Sequence, residues 1–265
     1  TSYQILASGN IELKKTGDNT YSVECLPGES CLYFIGGPEY PDCINNLDRI
    51  LNSTYDDLLQ STERYWQKFS CKRHDYSQIL PDDLNKREKL LQIIDDVSIL
   101  IKSQQAQDGA VLAGYNYHLG YVRDQYGVAR CLLKLGYYAE ARSILDFYWN
   151  IWQEYGRIYN AQTSGDTTIF HKHENDDVEI TSYLIVQAFD YYRETGDEAY
   201  LNTILPMLEW AWNVQKQHLA GYMLPFNGDE TYVAGGILPR NTLNDGSAAA
   251  TLLFMTAGEL LLDYV

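Results

Sequence analysis

Residues 115–136 read Tyr-Asn-Tyr-His-Leu-Gly-Tyr-Val-Arg-Asp-Gln-Tyr-Gly-Val-Ala-Arg-Cys-Leu-Leu-Lys-Leu-Gly, and the fold turns on this stretch. Its first half is aromatic, polar and broken by glycine, the composition of a loop. Its second half is an apolar run that stops at Gly136, where a helix ends. Arg123 and Asp124 stand where loop becomes helix. A carboxylate there caps the open N–H groups of a first turn. The arginine beside it offers a fork of donors to a hydroxylated ligand.

The pattern is written twice more. Asn175-Asp176-Asp177 opens the apolar run 178–192, and Asn244-Asp245-Gly246 opens the run 247–262. A helix apolar almost all round is expected to be buried on every side. The segments between these runs differ. Leu90, Ile93, Ile94, Val97, Leu100 and Ile101 form one stripe. Ala141, Ile144, Leu145, Tyr148, Ile151 and Trp152 form a second, and Leu201, Ile204, Leu205, Leu208, Ala211 and Trp212 a third. Each such helix has one apolar and one wet face. Amphipathic and buried helices therefore alternate three times, a repeat of helical hairpins. If the buried helices share an inner layer, Asp124, Asp177 and Asp245 converge on one polar surface.

The totals set the limits. A chain of 265 residues, 45% hydrophobic, supports a sizeable core in one large domain or two. Twenty basic against 36 acidic residues leave a net charge of -16. That balance argues against nucleic acid and anionic membranes as partners. No apolar run reaches membrane-spanning length. Tyrosine, at 23 residues, gives flat apolar faces with polar tips, suited to sugars and equally to interior packing. The five cysteines are Cys25, Cys31, Cys43, Cys71 and Cys131. Cys25 and Cys31 are spaced to bridge a hairpin, but the odd total opposes a disulfide framework. Reduced thiols and a cytoplasmic location are the expectation. The start at Thr1 and the stop at Val265 within a helical pattern are expected of a piece of something longer.

In chain order, residues 1–40 read as three strands, at 11–14, 21–25 and 31–35, with turns at 16–20 and at Pro27-Gly28. They look like the tail of a β-domain. Residues 41–83 read as a connector with one helix, capped by Thr54, and end in Pro81-Asp82-Asp83. The helical domain, 84–265, follows with six helices. Its loops at 107–121, 155–177 and 219–245 are long, and all three precede a buried helix. Long loops in a compact domain are usually functional or disordered. These carry Gly, Asn, Asp, Tyr, Thr and His, so they are expected to build a site on one face.

Several groups in these loops bear on chemistry. Arg123-Asp124 reads as a pair gripping sugar hydroxyls, against a plain helix cap. In Gly228-Asp229-Glu230-Thr231-Tyr232, burial would raise the Glu230 carboxyl as a general acid requires. The plain alternative is a solvated loop carboxylate. His171-Lys172-His173-Glu174 with Asp176 and Asp177 lacks a recognised ligand signature, and no metal is expected. Trp149, Trp152, Trp210 and Trp212 fall on the amphipathic helices and read as core. No G-x-S-x-G, P-loop or dinucleotide fingerprint is present, and no cofactor is expected.

With these residues quoted, the chain resembles glycoside hydrolase family 15, the glucoamylase-like enzymes, over roughly residues 84–265. Tyr121-Val122-Arg123-Asp124, followed by an apolar helix and Leu135-Gly136-Tyr137, is similar to that family's aromatic-x-Arg-Asp segment before its second helix. Glu174-Asn175-Asp176-Asp177 is similar to the segment before its fourth helix, and Glu230 falls where the family keeps its general acid. Two departures stand out: Tyr121-Val122 replaces the usual Trp, and the acid sits in Gly-Asp-Glu-Thr-Tyr rather than a Trp-Glu-Glu type segment. The resemblance implies an α/α toroid of six hairpins, here its first half, behind an N-terminal β-sandwich. It implies inverting hydrolysis of α-glucosidic bonds in oligo- or polysaccharides. Glu230 is then the acid; Arg123, Asp124, Tyr117, Asp176, Asp177, Tyr232 and Asp245 bind or line the sugar.

The same resemblance places the general base in the toroid's second half. That half is expected in cis, or from another chain across the open edge, and the 265 residues alone are expected to be inactive or nearly so. Two rival readings remain open: a non-catalytic helical-repeat scaffold, and another toroid enzyme such as a polysaccharide lyase.

Overall fold

The computed structural model describes residues 2–18, 20–37, 39–114, 118–165, 168, 170–171, 176–225 and 247–264. The chain divides into two compact units, Thr1–Lys68 and Phe69–Val265. The described residues are mainly helical, with eight α-helices and a two-stranded sheet at the N-terminus.

The first unit opens on two long antiparallel strands, β1 (Ser2–Gly17) and β2 (Thr20–Gly37). The expected turn at 16–20 joins them, with Gly17 paired to Thr20. The turn expected at Pro27-Gly28 does not end a strand. Pairing steps there from Gly9–Ser30 to Ile11–Cys25, so residues 26–29 bulge opposite Asn10. Asn10 Nδ2 donates to the Pro27 carbonyl at 3.0 Å. Gly28 holds φ +128°, and a Cβ on it would lie 2.2 Å from that amide nitrogen. A glycine bulge thus fuses the second and third expected strands into one. Cys25 and Cys31 consequently share a strand. Their partners, Ile11 and Ser8, are about 10 Å apart by strand rise, beyond disulfide reach. All five cysteines are free thiols.

Helix α1 (Tyr40–Leu51) falls in the stretch read as connector. Residues 43, 44, 47, 50 and 51 keep helical spacing, but Pro41 and Asn45-Asn46 disguise it. Asp42 accepts the Glu39 N–H at 3.2 Å and starts the helix. Helix α2 (Tyr55–Ser70) is capped as expected: Thr54 Oγ1 accepts from Asp57 N, and Asp57 Oδ2 accepts from Thr54 N, each at 3.1 Å.

The second unit contains α3 (Leu84–Gln104), α4 (Val122–Leu135), α5 (Tyr138–Tyr155), α6 (Asp176–Thr195), α7 (Glu198–Lys216) and α8 (Ala248–Tyr264). Asp83 caps α3 by accepting from Lys86 N. Gly136 ends α4 at φ +90°. Asp197 caps α7 and Ser247 caps α8. Helix α6 is central and packs on α4, α5, α7 and α8. Ile180, Leu184 and Ile185 are fully buried on it, each contributing about 1.5–3 kcal/mol of burial.

Burial on every side, expected for α4, α6 and α8, holds only for α6. Helix α4 keeps Asp124, Gly127, Arg130 and Lys134 exposed, and α8 keeps Leu252, Met255 and Leu262 exposed. Each has helical neighbours on fewer sides than α6. The stripes of α5 and α7 face inward as read, apart from half-buried Trp152, Leu205 and Trp212. The stripe of α3 does not. Its inward face carries Ser98 with half-buried Leu91, Ile94 and Ile101, while Leu90, Ile93, Val97 and Leu100 are 37–61% exposed.

Residues 71–83 are held against the α4–α5 turn. His74 N donates to the Leu135 carbonyl at 2.9 Å, and the Tyr76 hydroxyl donates to the Lys134 carbonyl. Arg73 pairs with Asp95 at 2.7 Å, and Lys72 with the buried Glu140 at 2.9 Å.

Candidate functional site

The loops before α4 and α6 are stitched together at the leading ends of those helices. Three two-residue strands, β3 (Gly120–Tyr121), β4 (Ala161–Gln162) and β5 (Phe170–His171), form one antiparallel sheet in that order. The loop before α4 therefore pairs directly with the loop before α6. Val122, the first residue of α4, donates its N–H to the Asn160 carbonyl at 3.1 Å. That N–H has no partner within the helix, so the loop supplies one.

Buried amides fix this arrangement from below. Gln125 is fully buried on α4. Its Oε1 accepts the Val111 N–H at 3.2 Å, and its Nε2 donates to the Tyr148 hydroxyl at 2.6 Å. One side chain thus links the 105–114 loop to α5. Gly120 allows it: a Cβ there would sit 2.4 Å from Gln125 Nε2. Burial holds the Tyr148 hydroxyl neutral, its pKa pushed well up, and the Asp124 carboxylate adds to that shift. Gln215 plays the matching part on α7. It donates to the Val178 carbonyl at 2.6 Å and accepts from Ser182 at 2.6 Å, tying the end of α7 to the start of α6.

Charged groups lie above these ties. Asp108 accepts from Ser164 Oγ at 3.1 Å and from Gly165 N at 2.8 Å, joining two of the long loops. Arg157 Nη2 donates to Asp177 Oδ1 at 3.2 Å. Asp177 Oδ2 lies 3.9 Å from His218 Nε2, just past α7. The Arg157 guanidinium lies 4.8 Å from the centroid of the Tyr159 ring, which stacks on Phe170 at 3.9 Å. On the α8 side, the Leu224 carbonyl accepts from Ser247 N at 2.8 Å. Val178, Leu224, Ala250 and Phe254 form a buried cluster there with Trp212 and Leu219.

The structure brings four of the expected residues to this end of the unit. Arg123, half-buried, and Asp124, exposed, are the second and third residues of α4. Asp177 is the second residue of α6, its side chain 24% exposed. Asp124 is not the N-cap, because that position falls to Tyr121; its carboxylate acts within the first turn, on the helix dipole. Asp176 begins α6. Tyr117, Glu230, Tyr232 and Asp245 lie outside the described residues, as do Lys172, His173 and Glu174. Among the described residues no group of three or more His, Cys, Asp or Glu is placed to hold a metal ion. No helix among them is long and apolar enough to cross a membrane.

Arg157, His218, Asp108 and Gln125 were not singled out from the sequence. Arg157 follows a helix-ending glycine, Gly156, in a loop without periodicity. Gln125 directly follows Arg123-Asp124, so the sequence reads it as one more polar residue of the helix start and gives no signal of its burial. A groove of about 290 Å³, lined by Phe189, Tyr192, Leu260 and Tyr264 among others, lies near the trailing ends of α6 and α8 and takes no part in this cluster. In comparisons with known proteins, no family model, no curated protein and no solved structure matches the chain.

Proposed function

We propose that this chain is the β-domain tail and first half of a six-hairpin α/α toroid of the glucoamylase-like type, hydrolysing α-glucosidic bonds with inversion. The observation that carries the reading is that the loops before α4 and α6 are joined at the leading ends of those helices, with the start of α8 packed beside Val178. That joining sets Arg123 and Asp124 in the first turn of α4, behind a strand paired to the loop before α6. An arginine and an aspartate on adjacent residues offer donors and acceptors to neighbouring hydroxyls of one terminal glucose. The helix dipole favours the carboxylate there.

Inverting hydrolysis needs an acid at the leaving oxygen and a base holding water across the ring, their carboxyls about 6.5–9.5 Å apart. Glu230 takes the part of the acid. The base belongs to the toroid's second half, in cis or from another chain. The substrate is an oligo- or polysaccharide, with no cofactor. Five free thiols support a cytoplasmic setting.

Binding tests the reading, since the base is assigned outside these residues. Maltose titrated calorimetrically into the protein is expected to bind, and Asp124→Ala to weaken it roughly tenfold, because a hydroxyl loses a charged acceptor. Unchanged affinity in a folded Asp124→Ala protein reduces that residue to a helix-dipole role. Robust glucose release by the isolated chain, abolished by Glu230→Gln, places the base within the 265 residues.

A further inference from the structure

Residues 157–162 form a short strap between two fixed points. At one end Arg157 is bonded to Asp177 at 3.2 Å, and its guanidinium lies over the Tyr159 ring. At the other end Asn160 accepts the Val122 N–H, and Ala161 and Gln162 pair with Tyr121 and Gly120. The residues immediately after Val122 are Arg123 and Asp124. The anchor on α6 is therefore one strap away from the Arg123–Asp124 pair. Asp177 already has a charged partner. One of its oxygens accepts from Arg157 and the other faces His218 at 3.9 Å. The charged guanidinium is a stronger partner for the oxygen it binds than a neutral hydroxyl would be.

We propose that Arg157 and Asp177 are a positioning pair: their ion pair tensions the 157–162 strap and so sets where α4 presents Arg123 and Asp124. The sugar-site reading supplies only what Arg123 and Asp124 bind; the strap is a matter of geometry. Asp177 thereby moves from sugar contact to support. The arginine reaches across 20 residues of sequence to do this, where a plain first-turn acid needs no such partner.

The test uses the whole chain and reads amide hydrogen exchange residue by residue. Arg157→Ala and Asp177→Asn are each expected to speed exchange at Val122 and at the paired amides of β3 and β4 by about tenfold, equivalent to about 1.4 kcal/mol. Arg157→Lys, which keeps the charge, is expected to stay closer to wild type than Arg157→Ala. The core of α6, residues 180–189, keeps its rate in all three. Maltose affinity falls about tenfold in the first two variants at an unchanged urea midpoint. A wild-type rate at Val122 in Arg157→Ala overturns the proposal. So does acceleration that extends equally through α6, since that is general loss of stability. If wild-type protein binds no maltose, or Arg123→Ala binds it as well as wild type, the sugar reading fails. The exchange rates then decide the strap alone.

Discussion

Replacing Gln125 by leucine tests whether the loop end of the second unit is held by buried amides. The side chain is fully buried and makes two hydrogen bonds, to Val111 N at 3.2 Å and to the Tyr148 hydroxyl at 2.6 Å. Leucine nearly matches its bulk, so cavity formation contributes little. The cost comes from the partners left behind. Val111 is 2% exposed and Tyr148 fully buried, so neither finds water in exchange. An unsatisfied buried polar group costs about 1–3 kcal/mol, so two give roughly 2–5 kcal/mol after relaxation. Four of the five tryptophans lie on α5 and α7, so urea unfolding read by tryptophan fluorescence reports mainly on this unit. Gln125→Glu adds a sign. Burial raises the folded-state pKa of the new carboxyl above its unfolded value. Its protonated form is then the compatible one, so the variant is less destabilised at pH 5 than at pH 7, and stability is lost as pH rises through the folded pKa. A Gln125→Leu protein within about 0.5 kcal/mol of wild type would refute the reasoning, because scatter of that size is what surface changes produce.

Three further substitutions probe other links. Gly136→Ala forces a Cβ onto φ +90°, 3.0 Å from the His74 ring. A loss of about 1–3 kcal/mol is expected, with faster proteolysis in residues 71–83; adding His74→Ala recovers the ring contact but not the backbone cost. Tyr200→Phe removes the 2.7 Å hydrogen bond to Asp146 while keeping the ring under Arg142, and is expected to cost about 1–2 kcal/mol in urea unfolding. Gly28→Ala meets both a positive φ and Asn10, and is expected to loosen the β1–β2 ribbon, read as faster exchange of its amides.

Much of the second unit was legible because its signals are local. Asp83, Asp197, Gly136 and the apolar spacings mark helix limits through groups only a few residues apart. The strands were harder. Pro27-Gly28 has the composition of a turn, and only the Asn10 amide from the opposite strand makes it a bulge. On α3 the sequence offered two overlapping apolar stripes, and the choice between them belongs to what packs against the helix, which no local pattern records. Of the candidate site, only the positions at helix starts can be compared, since Tyr117, Glu230, Tyr232 and Asp245 lie outside the described residues. Arg123, Asp124 and Asp177 stand at helix starts, where sequence marks positions. Arg157 and His218 gain meaning only by reaching Asp177 from 20 and 41 residues away.

The two ends of the second unit are built from different materials, and the difference fits the division between scaffold and site. At the α6–α7 turn, where links are short, Arg142 bonds Asp197 at 3.1 Å and lies 4.0 Å over the Tyr200 ring; Tyr200 in turn bonds Asp146. Burial and the Asp146 carboxylate hold that tyrosine far above its ordinary pKa, so its hydroxyl remains a donor to Asp146. At the other end the loops are long; Gln125 ties the loop backbone at Val111 to α4, and Gln215 ties α7 to the start of α6, through amides that do not titrate. Beside these neutral ties, Arg157, Asp177 and His218 form a separate charged group at the same end. Swapping an amide tie for an acid should therefore make the packing it holds depend on pH. Gln215→Glu makes that case: its carboxylate would face the Val178 carbonyl, which offers no proton. The urea stability of that variant should fall between pH 5 and pH 8 more steeply than that of wild type. A pH profile parallel to wild type would mean that Gln215 is ordinary packing.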